Sequence, residues 1–301
     1  MLRPNRHEQG GSTKARPGAG SVIRKHPLVA FFVLAYALSW WPWPLYAAWV
    51  VRIEPFLSFG PLFAAVIIVA VTDGRHGLRA LGARMLRWRV GWRWYAVALA
   101  LPLSVDALAS VINVALGAPV PAFDLGAPWY TVIVVFAIRL VNPMDGPVGE
   151  EPGWRGFALP GLQLTRSPLI ATAILALLVT GWHLPLVLGS GSNPLPPFAL
   201  LGTFAVTFWY TWVFNHTNGS VLITLIMHAA DGTFFGLLTA GLGGADLERG
   251  LLLKVVLVCI VTIGICILDR QMWQSPAPAL AIGAPLTPGG LNMSRWLPGA
   301  P

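Results

Sequence analysis

Charge and cysteine are what this 301-residue chain has least of. Only 11% of its residues are Asp, Glu, Lys or Arg, and just 12 are acidic. Charge this sparse does not clothe the two soluble domains that the length would otherwise allow. The two cysteines, Cys259 and Cys266, lie seven apart in one apolar run. On a helix that is about two turns, too far for a disulfide, so they read as packing residues and say nothing about redox compartment. Lys and Arg are the better-supplied sign, giving a net charge of +8. Arginine gathers in the N-terminal tail and over residues 75–93, both flanking apolar runs. That placement fits the positive-inside bias of membrane proteins and argues against a nucleic-acid partner.

Apolar sequence is what the chain has in abundance: 55% of its residues are hydrophobic, and the mean hydropathy is +0.67. About 20 apolar residues cross the hydrocarbon core as a helix, and runs of that kind recur along the chain. The expected fold is therefore an all-α, polytopic transmembrane bundle of about eight spans. The spans are placed near 28–51, 56–72, 94–116, 129–163, 168–188, 196–215, 220–241 and 251–268, the fourth being interrupted by "NPMDGP". Residues 1–26 read as a disordered basic tail, 27–270 as the membrane domain, and 271–301 as a disordered tail rich in Pro, Ala and Gly. The segment "RHGLRALGARMLRWRVGWRW" reads as a basic amphipathic surface stretch resting on anionic headgroups. Eight crossings put both termini on one side, with the arginine segment, and the positive-inside rule makes that side cytoplasmic.

Ionisable residues inside spans are functional candidates by default, because burying them unpaired in lipid costs several kcal/mol. Here they are Asp106, Arg139, Glu150, Glu151, Arg155, His183, His228 and Asp231, with Lys254 near a span end where it can snorkel. Asp106 and Arg139 are candidates for an ion pair between spans three and four. The stretch "GEEPGWRGFALPG", residues 149–161, sets two carboxylates side by side. The midpoint between Glu150 and His183 falls in the turn at 165–168 that joins their helices. In an antiparallel hairpin both then reach one depth, about 25 Å of helix from that turn. His228 lies about 15 Å into span seven from the same side.

One carboxylate and two imidazoles thus converge from three helices. The set suits water activation, with the carboxylate as general base and the imidazoles holding water or an oxyanion. It equally suits a metal site of two His and one carboxylate, zinc for example. On spacing alone, plain interhelical hydrogen bonding by the histidines stays open. Glu151 and Arg155, four apart, read as an ion pair. Pro147 and Pro152 disturb any helix through this region, so a helix is expected to restart near Pro152 with both carboxylates at its N-terminus, in a hydrated setting.

The run "GEEPGWRGFALPGLQ", then "GWHLPL", then "NHTNGSVLITLIMHAADG" resembles the CPBP family of intramembrane proteases, whose eukaryotic relatives include the type II CAAX prenyl endopeptidases. The resemblance covers residues 129–245 by motif. It implies an intramembrane endopeptidase acting on a membrane-associated or lipidated peptide or protein. Glu150 would activate water, His183 and His228 would bind the water and the oxyanion, and Glu151, Arg155 and Asp231 would support them. It leaves the cofactor open, either a divalent metal such as zinc held by Glu150, His183 and His228 or none. A prokaryotic cell membrane, with the site open to the cytoplasm, is the implied location. Two positions depart from the family pattern. Val179 stands where an aromatic precedes the second-motif His by four, and Gly232 stands where Asn follows the third-motif His by four. Loss of one oxyanion-hole donor costs roughly 10²–10³ in rate, so the alternative reading is a weak or inactive relative serving as an immunity or scaffold factor. A proton-relay transporter is a third class, but no inverted repeat accompanies it.

Overall fold

The structure, a computed structural model, describes residues 19–48, 56–122, 130–188 and 195–274. Most of the expected N-terminal tail, most of the C-terminal tail, Arg52 and residues 123–129 lie outside the described residues. Among the described residues the chain is all helical, with no strand. Five helices are long and apolar enough to cross a membrane: Pro27–Ala47, Gly60–Met85, Trp92–Ala115, Val221–Leu238 and Gly244–Leu268.

In chain order, α1 (Ala19–Lys25) precedes α2 (Pro27–Trp40) and α3 (Pro42–Ala47), which a proline separates. The long α4 (Gly60–Met85) contains Gly74 at a φ of +61°, a left-handed kink that suits glycine. Gly74 lies just past residue 72, where the second span is expected to end, but the chain resumes as helix beyond it. α5 (Trp92–Ala115) and α6 (Thr131–Arg139) follow. Next comes α7 (Gly146–Gly153), which continues through a π-helical turn (Trp154–Ala158) into α8 (Leu159–Gln163). The last group is α9 (Pro168–Trp182), α10 (Leu184–Val187), α11 (Ala199–His216), α12 (Val221–Leu238), α13 (Gly244–Leu268) and α14 (Arg270–Gln274). α1 and α14 lie at the inner ends of the two expected tails, and Trp273 of α14 is buried.

Packing follows the logic of membrane helices, where small residues let backbones approach. α2 and α4 meet through Ala35, Gly60, Ala64 and Ala65, all buried. α5 lies along α12, α13 packs on both α5 and α11, and α7 wedges between α4 and α12. Two apolar cores result. One centres on an aromatic cluster in which Trp154 meets Phe31 and Trp182 edge-on, with centroids 5.6 and 5.5 Å apart. The other joins Trp94, Trp209, Ile223, Met227 and Val258. Val29, Val33, Leu177, Ile260 and Ile263 remain exposed, as lipid-facing side chains would. Both cysteines are free thiols packed at the edges of these cores, Cys259 on the second and Cys266 on a small cluster around Trp273.

Contacts also sort the bundle into two ends. Arg87 donates to the Asn218 carbonyl at 2.8 Å, Ser220 donates back to the Arg87 carbonyl at 2.6 Å, and Trp94 stacks on His216. At the opposite end Asn113 donates to the Asp246 carbonyl at 2.9 Å, and the Ala122 amide to the Ala240 carbonyl at 2.9 Å. α5 and α12 therefore run parallel, and α13 runs against both. The arginine segment is more built-in than a surface stretch would be. Pro160 has no N–H to offer the Gly156 carbonyl one turn back, and Arg84 donates to that oxygen at 2.7 Å.

Candidate active site

The motif helix α7 starts earlier than its prolines suggest. Asp145 caps it, accepting the Gly146 N–H at 2.9 Å, and Pro147 falls in the first turn, where a missing N–H costs nothing. Glu150 and Glu151 accordingly sit in the second turn, and Pro152 is accommodated inside the helix. The π-helical turn follows immediately, a feature that often marks functional sites. Both carboxylates are buried.

Glu151 has two partners on one oxygen. Arg155 Nη1 donates to Oε1 at 2.9 Å, as the four-residue spacing anticipates. His228 Nδ1 donates to the same oxygen at 3.0 Å, a contact the sequence does not announce. Glu151 is thus both an ion-pair partner and the group that orients the His228 ring. Tyr210 of α11 stacks on that ring, with centroids 5.2 Å apart and planes 21° apart. The Arg155 guanidinium lies 4.7 Å from the other aromatic centre, that of Tyr210.

Glu150 approaches His228 from the opposite side. A Cβ placed on Gly146 would lie 2.9 Å from Glu150 Oε1 and 3.0 Å from His228 Nε2. The glycine therefore keeps the space between the carboxylate and the imidazole clear. His183 ends α9, and its Nδ1 donates to the Val179 carbonyl at 2.8 Å. The carbonyl can only accept, so Nδ1 carries the proton and Nε2 is left free. Val179 carries no aromatic ring, but His183 packs against Phe56 and Trp182, with centroids 5.9 and 4.9 Å away.

Glu150, His183 and His228 line one cavity of about 230 Å³, together with Arg155, Tyr210 and Asp231. Its remaining walls are mainly apolar side chains of α11 and α13. The structure thus brings the three candidate residues to one space from α7, α9 and α12.

The outer charges pair differently from expectation. Asp106 does not pair with Arg139. It meets Lys254 Nζ at 2.9 Å, and Lys254 also meets Asp231 at 2.9 Å. Lys254 is buried rather than snorkelling, its ammonium 4.5 Å from the Phe235 ring centre. Arg139 instead pairs with Asp145 at 3.3 Å, bracing the residue that caps α7. Its guanidinium also occupies the space that a side chain at Gly232 would need. Asp231 is thereby committed to an ion pair, which the sequence left unread.

Among the described residues no three His, Cys, Asp or Glu side chains come together in a set able to hold a metal ion. Nδ1 of each histidine is already engaged, and Glu150 and His228 face each other across the Gly146 gap.

A helical bundle with five membrane-length apolar helices, and with Glu150, Arg155, Asp231 and Lys254 on the wall of one cavity, is the architecture of an integral membrane protein. Residues 127–234 match the family described as type II CAAX prenyl endopeptidase Rce1-like. All three motifs fall inside that segment, and the match names the same family as the motif resemblance. A comparison with curated proteins found no match.

Proposed function

We propose that this protein is an intramembrane endopeptidase that hydrolyses a peptide bond in a membrane-associated or lipidated protein, with Glu150 as the base that activates water. The observation carrying this reading is the buried Glu150 carboxylate, facing His228 across the space kept open by Gly146 on a cavity that His183 also lines. In this scheme water binds between Glu150 and the imidazoles. Glu150 takes its proton as the oxygen attacks the scissile carbonyl, and the same proton then passes to the leaving nitrogen. Glu151, held by Arg155, keeps His228 in one tautomer and one orientation. The remaining topology belongs to the same proposal: about eight crossings, both termini cytoplasmic, and a site reached from that side of a prokaryotic cell membrane.

Glu150→Gln keeps the shape and removes the base. Membranes from cells making this variant should lack the cleaved peptides that wild-type membranes contain, while the protein inserts and melts as before. Retained cleavage would sink the mechanism.

A second reading is a non-catalytic membrane factor of the immunity or scaffold type. Gly232, with the Arg139 guanidinium filling its side-chain space, favours it. Under that reading Glu150→Gln leaves the cellular phenotype intact.

A further inference from the structure

Hydrolysis at this site needs a hydrogen-bond donor for the oxyanion, and the two histidines do not supply one in their neutral forms. His183 spends its ring proton on the Val179 carbonyl at 2.8 Å, and His228 spends its own on Glu151 at 3.0 Å. Each neutral imidazole therefore presents a lone pair on Nε2, not an N–H. Glu150, as the ionised base, also offers only acceptors. With both imidazoles neutral, all three groups at the centre are electron-rich at the moment that negative charge develops on the carbonyl oxygen.

The other polar side chains on the cavity wall can be accounted for in turn. Arg155 gives Nη1 to Glu151, its guanidinium lies against the Tyr210 ring, and its Nε and Nη2 are fully buried with no hydrogen-bond partner among the described residues. Lys254 is shared between Asp106 and Asp231, each at 2.9 Å. Thr203 and Thr207 donate back to the Ala199 and Thr203 carbonyls, at 3.5 and 2.9 Å. Asp231 has no proton to give while it pairs with Lys254. The Tyr210 hydroxyl likewise has no hydrogen-bond partner among the described residues, and unlike those two Arg155 nitrogens it is not sealed off from the cavity that its side chain lines.

We infer that Tyr210 is a catalytic residue, its phenolic O–H donating to the oxyanion formed when Glu150-activated water adds to the scissile carbonyl. The inference rests on the hydrolytic reading given above. Geometry suits the role. The Tyr210 ring is stacked on His228 with centroids 5.2 Å apart, so it cannot swing away from the imidazole it serves beside. A guanidinium against its face and 4% exposure fix it further. A preorganised donor of this kind needs no reorientation as charge develops. In the addition step a water O–H breaks, its proton goes to Glu150, the new C–O bond forms, and the carbonyl π pair moves to oxygen. Tyr210 donates a hydrogen bond and keeps its proton. When the C–N bond breaks, the proton on Glu150 goes to the nitrogen and the carbonyl re-forms.

Tyr210→Phe removes only the hydroxyl and keeps the stack on His228 and the ring under Arg155. The test begins with membranes from cells making wild type, Glu150→Gln or Tyr210→Phe, compared for peptides released from membrane proteins. A synthetic peptide spanning the site that wild type cleaves then serves as substrate for the purified proteins. We expect kcat to fall about 10²-fold in Tyr210→Phe, with KM within about twofold and the melting temperature unchanged. A wild-type rate in Tyr210→Phe, alongside a silent Glu150→Gln, would overturn the donor role and leave the hydrolytic reading standing. A rise in KM or a drop in melting temperature without a fall in kcat would make Tyr210 a structural residue. Identical peptides from wild type and Glu150→Gln would remove the hydrolytic reading and the donor role together.

Discussion

Lys254 brings a positive charge into the interior of α13, where an isolated ammonium costs several kcal/mol. Asp106 from α5 and Asp231 from α12 each reach it at 2.9 Å, so three helices are tied at one nitrogen. Removing the cation alone should leave two carboxylates facing each other in an apolar wall. Lys254→Met is expected to destabilise the protein by about 3–5 kcal/mol, read as a lowered melting temperature in detergent. Adding Asp106→Asn and Asp231→Asn to Lys254→Met should recover most of that loss, because no uncompensated charge remains. A single variant that melts like wild type would show that the triad is not what holds these helices. This cluster was only half legible in the sequence. The cost of charge in lipid flagged Asp106, Arg139 and Asp231 as needing partners, but not which ones. Choosing a partner across helices depends on their rotation about their axes, and hydropathy carries no information on rotation. Pairing within one helix needs only spacing, so Glu151 with Arg155 could be read directly. The claim of His228 on the same oxygen, 77 positions away, could not.

At the scale of elements, the motif helix is held against α4 by backbone rather than by side chains. A Cβ on Gly153 would lie 2.5 Å from the Pro61 carbonyl oxygen, and one on Gly149 would lie 2.6 Å from that of Pro143 and 2.7 Å from that of Ser58, just before α4. Backbone does not yield as a side-chain tip does, so Gly153→Ala should push α7 away from α4 and take Glu150 with it. A destabilisation of about 1–3 kcal/mol is expected, with cleavage lost in step. Gly236→Ala on α12 is the control: nothing lies within 4 Å of its Cβ, and Ala is the better helix former. Equal melting temperatures for the two variants would refute the close-packing account. Element positions were largely readable here, since α5, α9, α11, α12 and α13 overlap the apolar runs that suggested them. Helix starts were less so, because Pro147 and Pro152 look alike in sequence. Pro147 lies in a first turn that Asp145 caps, whereas Pro152 is carried inside the helix. Hydropathy placed the end of the motif segment near 163, where α8 ends, but said nothing of its internal geometry. α7 carries both glutamates and two prolines and runs on through a π-helical turn into α8, a more polar and less regular helix than a plain span.

For the whole molecule, the two ends identified by contacts differ in charge. Arg84 and Arg87 lie at the end shared with Ser220 and the Asn218 carbonyl. Arg89 and Arg93 continue the same segment, and Arg270 follows Asp269, which bonds His216 at that end. The opposite end, near Asn113 and Ala240, has Arg249, and that residue is paired with Asp246 at 2.7 Å. Cytoplasmic loops are the ones enriched in Lys and Arg, so the arginine-rich end should face the cytoplasm. Exposed Arg89 and exposed Glu248 sit at the two ends and report them separately. With Cys259 and Cys266 replaced by Ala, Glu248→Cys should react with a membrane-impermeant maleimide added to intact cells. Arg89→Cys should react only after the cells are permeabilised. The reverse pattern would invert the orientation and place the site's proposed entrance on the outer face. Labelling of both positions in intact cells would mean that α5 and α13 do not carry the two ends across a bilayer. The helix directions make the two readouts strict, because α5 and α13 are antiparallel and touch along their length. A chain that puts Arg89 inside and Glu248 outside also gives α12 a cytoplasmic start at Ser220. His228 then lies two turns into the membrane from that side, and the Glu150–His228 pair becomes reachable by a substrate tethered to the inner leaflet.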